Sequence, residues 1–132
     1  MKQIIITGSE GYLGSSLCKF FKKKYKILKL DIKLGHDLTD EKFVKKWFKD
    51  NKSSYLINCF ALNDHVNSKR KNNTLFEFPL SSFSNYLNVN LTSLFSVCRE
   101  FARNNKQGSI VNFSSYLGLV SPRPDIYGDS HK

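Results

Sequence analysis

The first strand and the turn after it constrain the fold of this chain more than any other stretch. A short β-branched run, residues 4–6, leads into Gly8, Gly11 and Gly14, and an apolar pattern with helical spacing begins at Leu13. This order predicts a strand, a tight turn and a helix. Glycines let the backbone reverse and approach a ligand closely, and free N–H groups at a helix start face an anion. The turn is a candidate pyrophosphate site, and an ordinary strand-to-helix connection is the alternative.

An acidic residue at the end of the second β-type run supports the ligand-binding interpretation. Residues 25–30 form that run, and Asp31 follows it, 20 positions after Gly11. A carboxylate at this place can accept hydrogen bonds from both hydroxyls of an adenosine ribose. A solvated aspartate at a strand end is the alternative.

Length and composition restrict the class of protein. A chain of 132 residues with 40% hydrophobic and 24% charged residues is expected to form one domain, residues 1–132. No apolar run approaches the roughly 20 residues of a membrane span, and no signal peptide is recognisable, so we expect a cytoplasmic protein without a membrane partner. The three cysteines are widely spaced in apolar surroundings, which predicts buried free thiols. The three histidines show no ligand spacing, so we expect no metal site.

The formal net charge of +10 comes mostly from lysines spread over predicted helix faces. Dispersed lysines are typical of solvated surfaces. The one compact basic cluster, residues 68–71, has no interleaved aromatic residues of the kind that stack on single-stranded bases. We therefore expect no nucleic-acid partner, and steep salt-dependent binding to DNA or RNA would reveal one.

Strand and helix patterns alternate along the chain. Strands are expected over residues 4–7, 25–31, 54–61 and 109–115, and a further short strand is expected to end at Asp37 and Leu38. Helices are expected after the glycine turn, after Thr39 as N-cap, and from about Ser81 to Arg103, with a long polar loop over residues 63–80. This alternation predicts an α/β fold with a doubly wound parallel sheet of about five strands. Asn90 lies in the apolar stripe of the last helix, so its amide either braces a neighbouring backbone or has a functional role.

With these segments in order, nearly the whole chain resembles the short-chain dehydrogenase/reductase (SDR) family. The resembling stretches are residues 7–14 (TGxxGxxG turn), Asp31 (acidic position that favours NAD), Asp37 and Leu38 (border of the adenine ring), 56–61 (NNAG-type strand end), 88–92 (asparagine helix motif) and 110–118 (serine strand). The resemblance implies a Rossmann-type sheet in the order 3-2-1-4-5. It implies cofactor contacts from Gly8, Ser9, Gly11, Tyr12, Leu13, Asp31, Ile32, Asp37, Leu38, Asn58, Cys59 and Ala61, and catalytic roles for Ser115 and Asn90.

The chemistry that the resemblance implies is hydride transfer between a nicotinamide and a carbonyl or alcohol substrate. In the family a tyrosine acts as acid and base, a lysine four residues later lowers its pKa, and a serine orients the substrate oxygen. Here Tyr127 is followed by His131 at that spacing and by Lys132 one position further, which on a helix turns away from the tyrosine. Either Tyr127 and Lys132 form a degenerate pair, or the YxxxK motif lies beyond residue 132.

We favour the second explanation, because residues 122–127 resemble a loop of the SDR branch linked to polysaccharide and flagellar sugar modification, whose catalytic tyrosine follows that loop. Asn63 and residues 76–78 also resemble this branch. The chain is then the N-terminal part of an SDR domain. We expect it to be inactive alone and poorly soluble, since its last strand would be an exposed apolar edge. In full-length form we expect a homo-oligomer acting on a small carbonyl or alcohol substrate, with a sugar derivative as one candidate.

Two alternatives remain open. NADP could replace NAD if Lys33 offsets the repulsion between Asp31 and a 2′-phosphate. The chain could also be a non-catalytic regulatory module that binds a dinucleotide.

Overall fold

The computed structural model describes residues 2–63, residue 76 and residues 78–120. Its elements are β1 (Gln3–Thr7), α1 (Tyr12–Phe21), β2 (Lys26–Leu30), α2 (Glu41–Asp50), β3 (Tyr55–Asn58), α3 (Leu80–Leu87), a π-helical segment (Asn88–Ser93), α4 (Leu94–Asn104) and β4 (Ser109–Asn112). Two short 3₁₀ turns, Ile32–Leu34 and Tyr116–Gly118, follow β2 and β4.

The strands form one parallel sheet in the order β2-β1-β3-β4. Thr7 is in register with Leu30 on one side and with Asn58 on the other, and Asn58 is in register with Asn112. The carboxyl ends of the strands are therefore level. In open parallel sheets this edge is where ligands bind.

Helices cover both faces of the sheet, as expected for a doubly wound fold. Ile5 packs with buried residues of α2 and α4, whereas Ile4 and Ile6 pack with Cys18 of α1 on the other face. This split follows from the strand period of two, which points successive side chains to opposite faces. The continuous apolar run of β1 is buried on both sides for the same reason.

The strand expected to end at Asp37 and Leu38 is not formed, so the described sheet has four strands rather than about five. After β2, the carbonyl oxygen of Asp31 accepts hydrogen bonds from the N–H groups of Leu34 (3.0 Å) and His36 (3.1 Å), which folds the chain back on itself. Gly35 follows with φ of 80°. Leu38 is nevertheless buried in the core on the α2 side. Its burial accounts for the apolar residue without a strand.

Helix boundaries and faces also differ from the expectation. Asp40, not Thr39, caps α2, since its carboxylate accepts from the N–H groups of Lys42 and Phe43. The helix expected to run unbroken from Ser81 to Arg103 contains the π-helical segment. Phe20, expected on the core stripe of α1, is 74% exposed.

Strand β4 forms an apolar edge, as expected, although it ends at Asn112 rather than Ser115. Within the described residues it pairs only with β3. Ile110, Val111 and Phe113 are 37%, 46% and 54% exposed. Among the helices in the described ranges, none is long and apolar enough to span a bilayer.

Candidate functional site

The glycine turn after β1 needs glycine at two positions. Gly8 has φ of 63°, and a Cβ there would lie 2.6 Å from the backbone nitrogen of Phe60. A Cβ on Gly14 would overlap the carbonyl oxygen of Gly8. Positive φ and backbone overlap both exclude larger residues, so the turn packs closely between β3 and the start of α1.

The N-terminus of α1 is left free to bind an anion. Gly11 is the N-cap residue, no side chain among the described residues caps the helix, and its first turn holds no acidic residue. Gly11 is exposed, and a Cβ there would meet only the Gly8 oxygen, at 3.2 Å, so its outer side opens to solvent. The N–H groups of the first helical turn lack intrahelical partners, and the helix dipole favours negative charge there.

Asp31 is buried beside this turn and is fixed by two backbone groups. Its Oδ2 accepts from the N–H of Glu10 at 2.8 Å and its Oδ1 from the N–H of Lys33 at 2.9 Å. The Glu10 carboxylate pairs with Lys29 at 2.9 Å. A carboxylate oxygen has two acceptor sites, so each oxygen of Asp31 can take one further hydrogen bond. Asp31 therefore both braces the turn and can receive a ligand hydroxyl.

A cleft of about 610 Å³ runs over the carboxyl edge of the sheet. It is lined by Gly8, Gly11, Asp31, Ile32, Lys33, His36, Asp37, Leu38, Thr39, Cys59, Phe60, Ala61, Leu62 and Val89. Eight of these fourteen residues were predicted from the sequence as cofactor contacts, among them the acidic side chains of Asp31 and Asp37. Lys33 was considered only as a charge that could offset Asp31, and Phe60 only as part of the strand end at residues 56–61. The other four lining residues, His36, Thr39, Leu62 and Val89, were not predicted to contact a ligand. They flank assigned positions in the chain, which is the one signal that could have indicated them.

Four residues expected to contact a cofactor do not line the cleft. Ser9 is fully buried, and its hydroxyl has no hydrogen-bond partner within the described residues. Tyr12 and Leu13, in the first turn of α1, are 95% and 39% exposed. Asn58 is buried below the cleft.

Asn58 is the centre of a polar network that joins three strand ends. Its Oδ1 accepts from the Thr7 hydroxyl at 3.0 Å, and its Nδ2 donates to Asn112 Oδ1 at 2.8 Å and to Cys98 Sγ at 3.5 Å. The Thr7 hydroxyl in turn accepts from the N–H of Cys59. A buried network of this kind fixes the strand ends that form the cleft floor.

Asn90 braces the cleft wall. Its Oδ1 accepts from the N–H of Leu62 at 2.7 Å, and its Nδ2 donates to the Leu62 carbonyl at 2.9 Å. Leu62 lies outside the strands of the described sheet, so these two bonds satisfy its backbone. Of the two roles that the sequence left open for Asn90, the structure shows the bracing one.

Ser115 follows β4 and is exposed, and the cleft-lining residues do not include it. Its carbonyl accepts from the N–H of Gly118 at 3.0 Å. Tyr127, His131, Lys132 and the sequence at 122–127 lie outside the described residues, as does most of the long loop, including residues 64–75.

The cysteines are free thiols, as expected, although only Cys18 is fully buried. Cys59 lines the cleft, and burial raises its pKa to about 11, with the nearby Cys18 adding to the shift. Burial also raises the pKa of Cys18 and of Cys98. Among the described residues no group of histidine, cysteine and acidic side chains could hold a metal ion.

Comparison with known families identifies the class of protein. A family model described as enoyl-(acyl carrier protein) reductase matches residues 12–131. The chain belongs to this family of short-chain dehydrogenases/reductases. A comparison with curated proteins found no match.

Solved SDR structures share the fold. A short-chain dehydrogenase from Leptospira borgpetersenii with bound NAD+ superposes with a TM-score of 0.81 at 22% identity, covering 98% of this chain and 57% of that one. A small-chain dehydrogenase in complex with NADPH gives 0.77 at 18% identity, covering 96% and 57%. A short-chain dehydrogenase/reductase from Vibrio parahaemolyticus gives 0.74 at 20% identity, covering 90% and 66%. The chain thus spans less than two thirds of the length of each of these SDR structures.

Proposed function

We propose that this chain is the nucleotide-binding portion of an NAD-dependent SDR oxidoreductase that transfers hydride between a nicotinamide and a carbonyl or alcohol carbon. The observation that carries the proposal is a cleft that joins the glycine turn, Asp31 and the end of β3. Its volume of about 610 Å³ is in the range of ligand and cofactor sites, roughly 300–1,000 Å³. Membership of the SDR family supports the same chemistry.

In this proposal, each part of the dinucleotide is contacted by a different group of residues in or beside the cleft. The free N–H groups at the start of α1 would bind the pyrophosphate, and Asp31 would accept the adenosine ribose hydroxyls. Leu38 and Asp37 would border the adenine, and residues 59–61 would lie beside the nicotinamide ribose. When bound, the cofactor supplies the hydride donor or acceptor.

The proposed catalytic groups are divided between the described chain and residues outside it. Asn90 holds the Leu62 backbone at the cleft wall, and the hydroxyl of Ser115 would orient the substrate oxygen. The acid and base would come from a tyrosine and lysine, either Tyr127 with Lys132 or a YxxxK motif beyond residue 132. That the 132-residue chain has no turnover alone remains a prediction.

We place NAD before NADP because of Asp31. A carboxylate that faces the 2′ position repels a 2′-phosphate and accepts a hydrogen bond from a 2′-hydroxyl. Lys33 lines the same cleft and supplies a positive charge, so NADP is the second candidate.

Titration of NADH and NADPH, followed by nicotinamide fluorescence, tests the cofactor proposal. We expect saturable NADH binding and weaker NADPH binding. Asp31→Asn removes the charge and keeps one acceptor oxygen. It should therefore lower the ratio of NADH affinity to NADPH affinity about tenfold, which corresponds to about 1.4 kcal/mol. Asp31→Asn leaves one of the N–H groups of Glu10 and Lys33 without an acceptor and Asp31→Ala leaves both, so the alanine variant is the less selective one.

Lys45→Gln, on the exposed face of α2, is the matched control for a change of one charge, and we expect it to leave the preference unchanged. Absence of saturable NADH binding would rule out the proposed function. If the ratio of NADH affinity to NADPH affinity is the same in the unmodified chain and in Asp31→Asn, Asp31 does not select between the two cofactors.

A non-catalytic dinucleotide-binding module is the second candidate, because position 131 is histidine where the family pattern after Tyr127 has lysine. The coding sequence after Lys132 distinguishes the two. A downstream YxxxK motif favours the enzyme, and a chain without it favours the module.

Substrate, assembly and location remain predictions. The sequence resemblance implies a sugar derivative, whereas the matching family model is described by an acyl-carrier-protein substrate, so both classes belong in an activity screen of the full-length protein. We also expect that protein to be a cytoplasmic homo-oligomer with no nucleic-acid partner. Sedimentation of the full-length chain would test its assembly.

A further inference from the structure

His36 lines the cleft together with Asp31 and Asp37, at the end proposed to hold adenosine. Its ring stacks on Phe43 of α2, with centroids 5.6 Å apart and an interplanar angle of 16°. Its backbone N–H donates to the carbonyl of Asp31 at 3.1 Å. The imidazole is thus held at a defined place beside the proposed ribose acceptor.

The imidazole has an unused polar atom. Nδ1 is shielded from solvent and has no hydrogen-bond partner within the described residues. A shielded nitrogen without a partner costs free energy, so its retention calls for an explanation. Half a turn of the ring about its Cβ–Cγ bond would keep the stack on Phe43 and exchange Nδ1 with the carbon on the other ring edge.

The polar neighbours of His36 are largely engaged. Both oxygens of Asp31 hold backbone N–H groups, and Oδ1 of Asp37 accepts from the N–H and hydroxyl of Thr39 at 2.9 and 2.7 Å. Lys33 is the remaining charged side chain of this wall. Within the described residues, the ring nitrogens of His36 have no hydrogen-bond partner at this end of the cleft and are available to a ligand.

We infer that His36 is a specificity residue that hydrogen-bonds the adenosine half of the dinucleotide, through an adenine nitrogen or a ribose hydroxyl. The inference rests on the proposed function and adds a recognition residue to it. An imidazole offers one donor and one acceptor in its neutral form, and both adenine and ribose can complement either.

The test compares His36→Phe, His36→Asn and His36→Gln with the unmodified chain. Phenylalanine keeps the stack on Phe43 and removes both nitrogens, whereas asparagine and glutamine place a polar atom near Nδ1 and Nε2 respectively. We expect His36→Phe to weaken NADH and ADP-ribose binding by the same factor, about fivefold. Inorganic pyrophosphate, measured by competition, should bind unchanged because its proposed site is the start of α1 alone.

Stability provides the readout that a purely structural role would not produce. His36→Phe removes a shielded nitrogen without a partner, so its melting temperature should equal or exceed that of the unmodified chain while its adenosine affinity falls. Either His36→Asn or His36→Gln should restore part of the affinity and so identify the nitrogen used.

The two proposals fail in different ways. If the unmodified chain binds neither NADH nor ADP-ribose, the proposed function is overturned, and this inference with it. If the unmodified chain binds both and all three variants bind equally well, only the role of His36 is overturned.

Discussion

At the residue scale, the thiol of Cys59 links the cleft to the pH dependence of stability. Its pKa is raised from 9.0 to about 11 because burial disfavours the thiolate. A group whose pKa is raised by folding contributes stability below its unfolded pKa and loses that contribution as pH rises towards the folded pKa. We therefore expect the free energy of unfolding to fall between about pH 9 and pH 11.

Urea unfolding at pH 8, 9, 10 and 11 measures this loss, with Cys59→Ala as the variant. The decline should be shallower in Cys59→Ala, and Cys18→Ala should show part of the same effect because its pKa is also raised. Lys29, whose pKa is raised chiefly by its bond to Glu10, adds a decline that Cys59→Ala retains. If the free energy of unfolding falls with pH equally steeply in the unmodified chain and in Cys59→Ala, the loss of stability does not come from the Cys59 thiol.

Single residues could be predicted where the chemistry is local to a sequence spacing. Gly8, Gly11 and Asp31 were identified because a close backbone approach and a ribose acceptor require those residue types at those positions. Asn58 was assigned to the ligand, but cross-strand bonds to Thr7 and Asn112 use its amide, and these depend on strand register. Periodicity alone does not reveal such pairings.

At the element scale, the bracing of the cleft wall by the helix that carries Asn90 can be measured. Asn90→Leu would leave the N–H and carbonyl of Leu62 without their partners, and we expect it to lower the free energy of unfolding by about 1–3 kcal/mol. Asn90→Asp should lose less, because a carboxylate still accepts from the Leu62 N–H. Urea denaturation gives the difference, and Asn85→Ala on exposed α3 is the control.

The same variants report on the site, since Leu62 lines the cleft. Hydrogen exchange at the Leu62 amide should accelerate in Asn90→Leu, and NADH affinity should fall, while Asn85→Ala changes neither. Unchanged exchange at Leu62 in Asn90→Leu would show that the two hydrogen bonds do not hold this wall in solution.

Elements were predictable where hydrophobic pattern and packing agree, and were not where hydrogen bonding decided the backbone. The strands β1 and β3 follow from buried β-branched or apolar runs. The missing strand near Asp37 depends on the Asp31 carbonyl closing a 3₁₀ turn. The π-helical segment is stabilised by the Ser93 hydroxyl, which donates to the carbonyl of Asn88 at 2.8 Å, and serine is too common in helices to signal such a bond.

At the scale of the whole molecule, the distribution of apolar surface is uneven. An exposed stripe on α3, the π-helical segment and α4 consists of Phe83, Leu87, Leu91 and Phe95, which are 52%, 44%, 62% and 63% exposed. The apolar edge of β4 adds to it. A surface of this kind normally marks an interaction site or an aggregation site.

We therefore expect the 132-residue chain to self-associate, with an average mass that rises with concentration in sedimentation velocity. Leu91→Lys places a charge in the middle of the exposed stripe and should shift association to higher concentration by about tenfold. Phe20→Lys is the matched control, because Phe20 is 74% exposed but lies on α1, on the other face of the sheet.

The salt dependence of self-association distinguishes association through apolar surface from association through charge. The chain carries a formal net charge of +10, so like-charge repulsion opposes contact between copies and is screened as ionic strength rises. Apolar association should then strengthen from 50 mM to 500 mM NaCl, and Leu91→Lys should reduce it at both concentrations. Val111→Lys distinguishes the two surfaces, because it acts on the β4 edge alone. A monomer at all concentrations and both salt levels would contradict the prediction, and an equal effect of Phe20→Lys would show that the exposed stripe is not the contact.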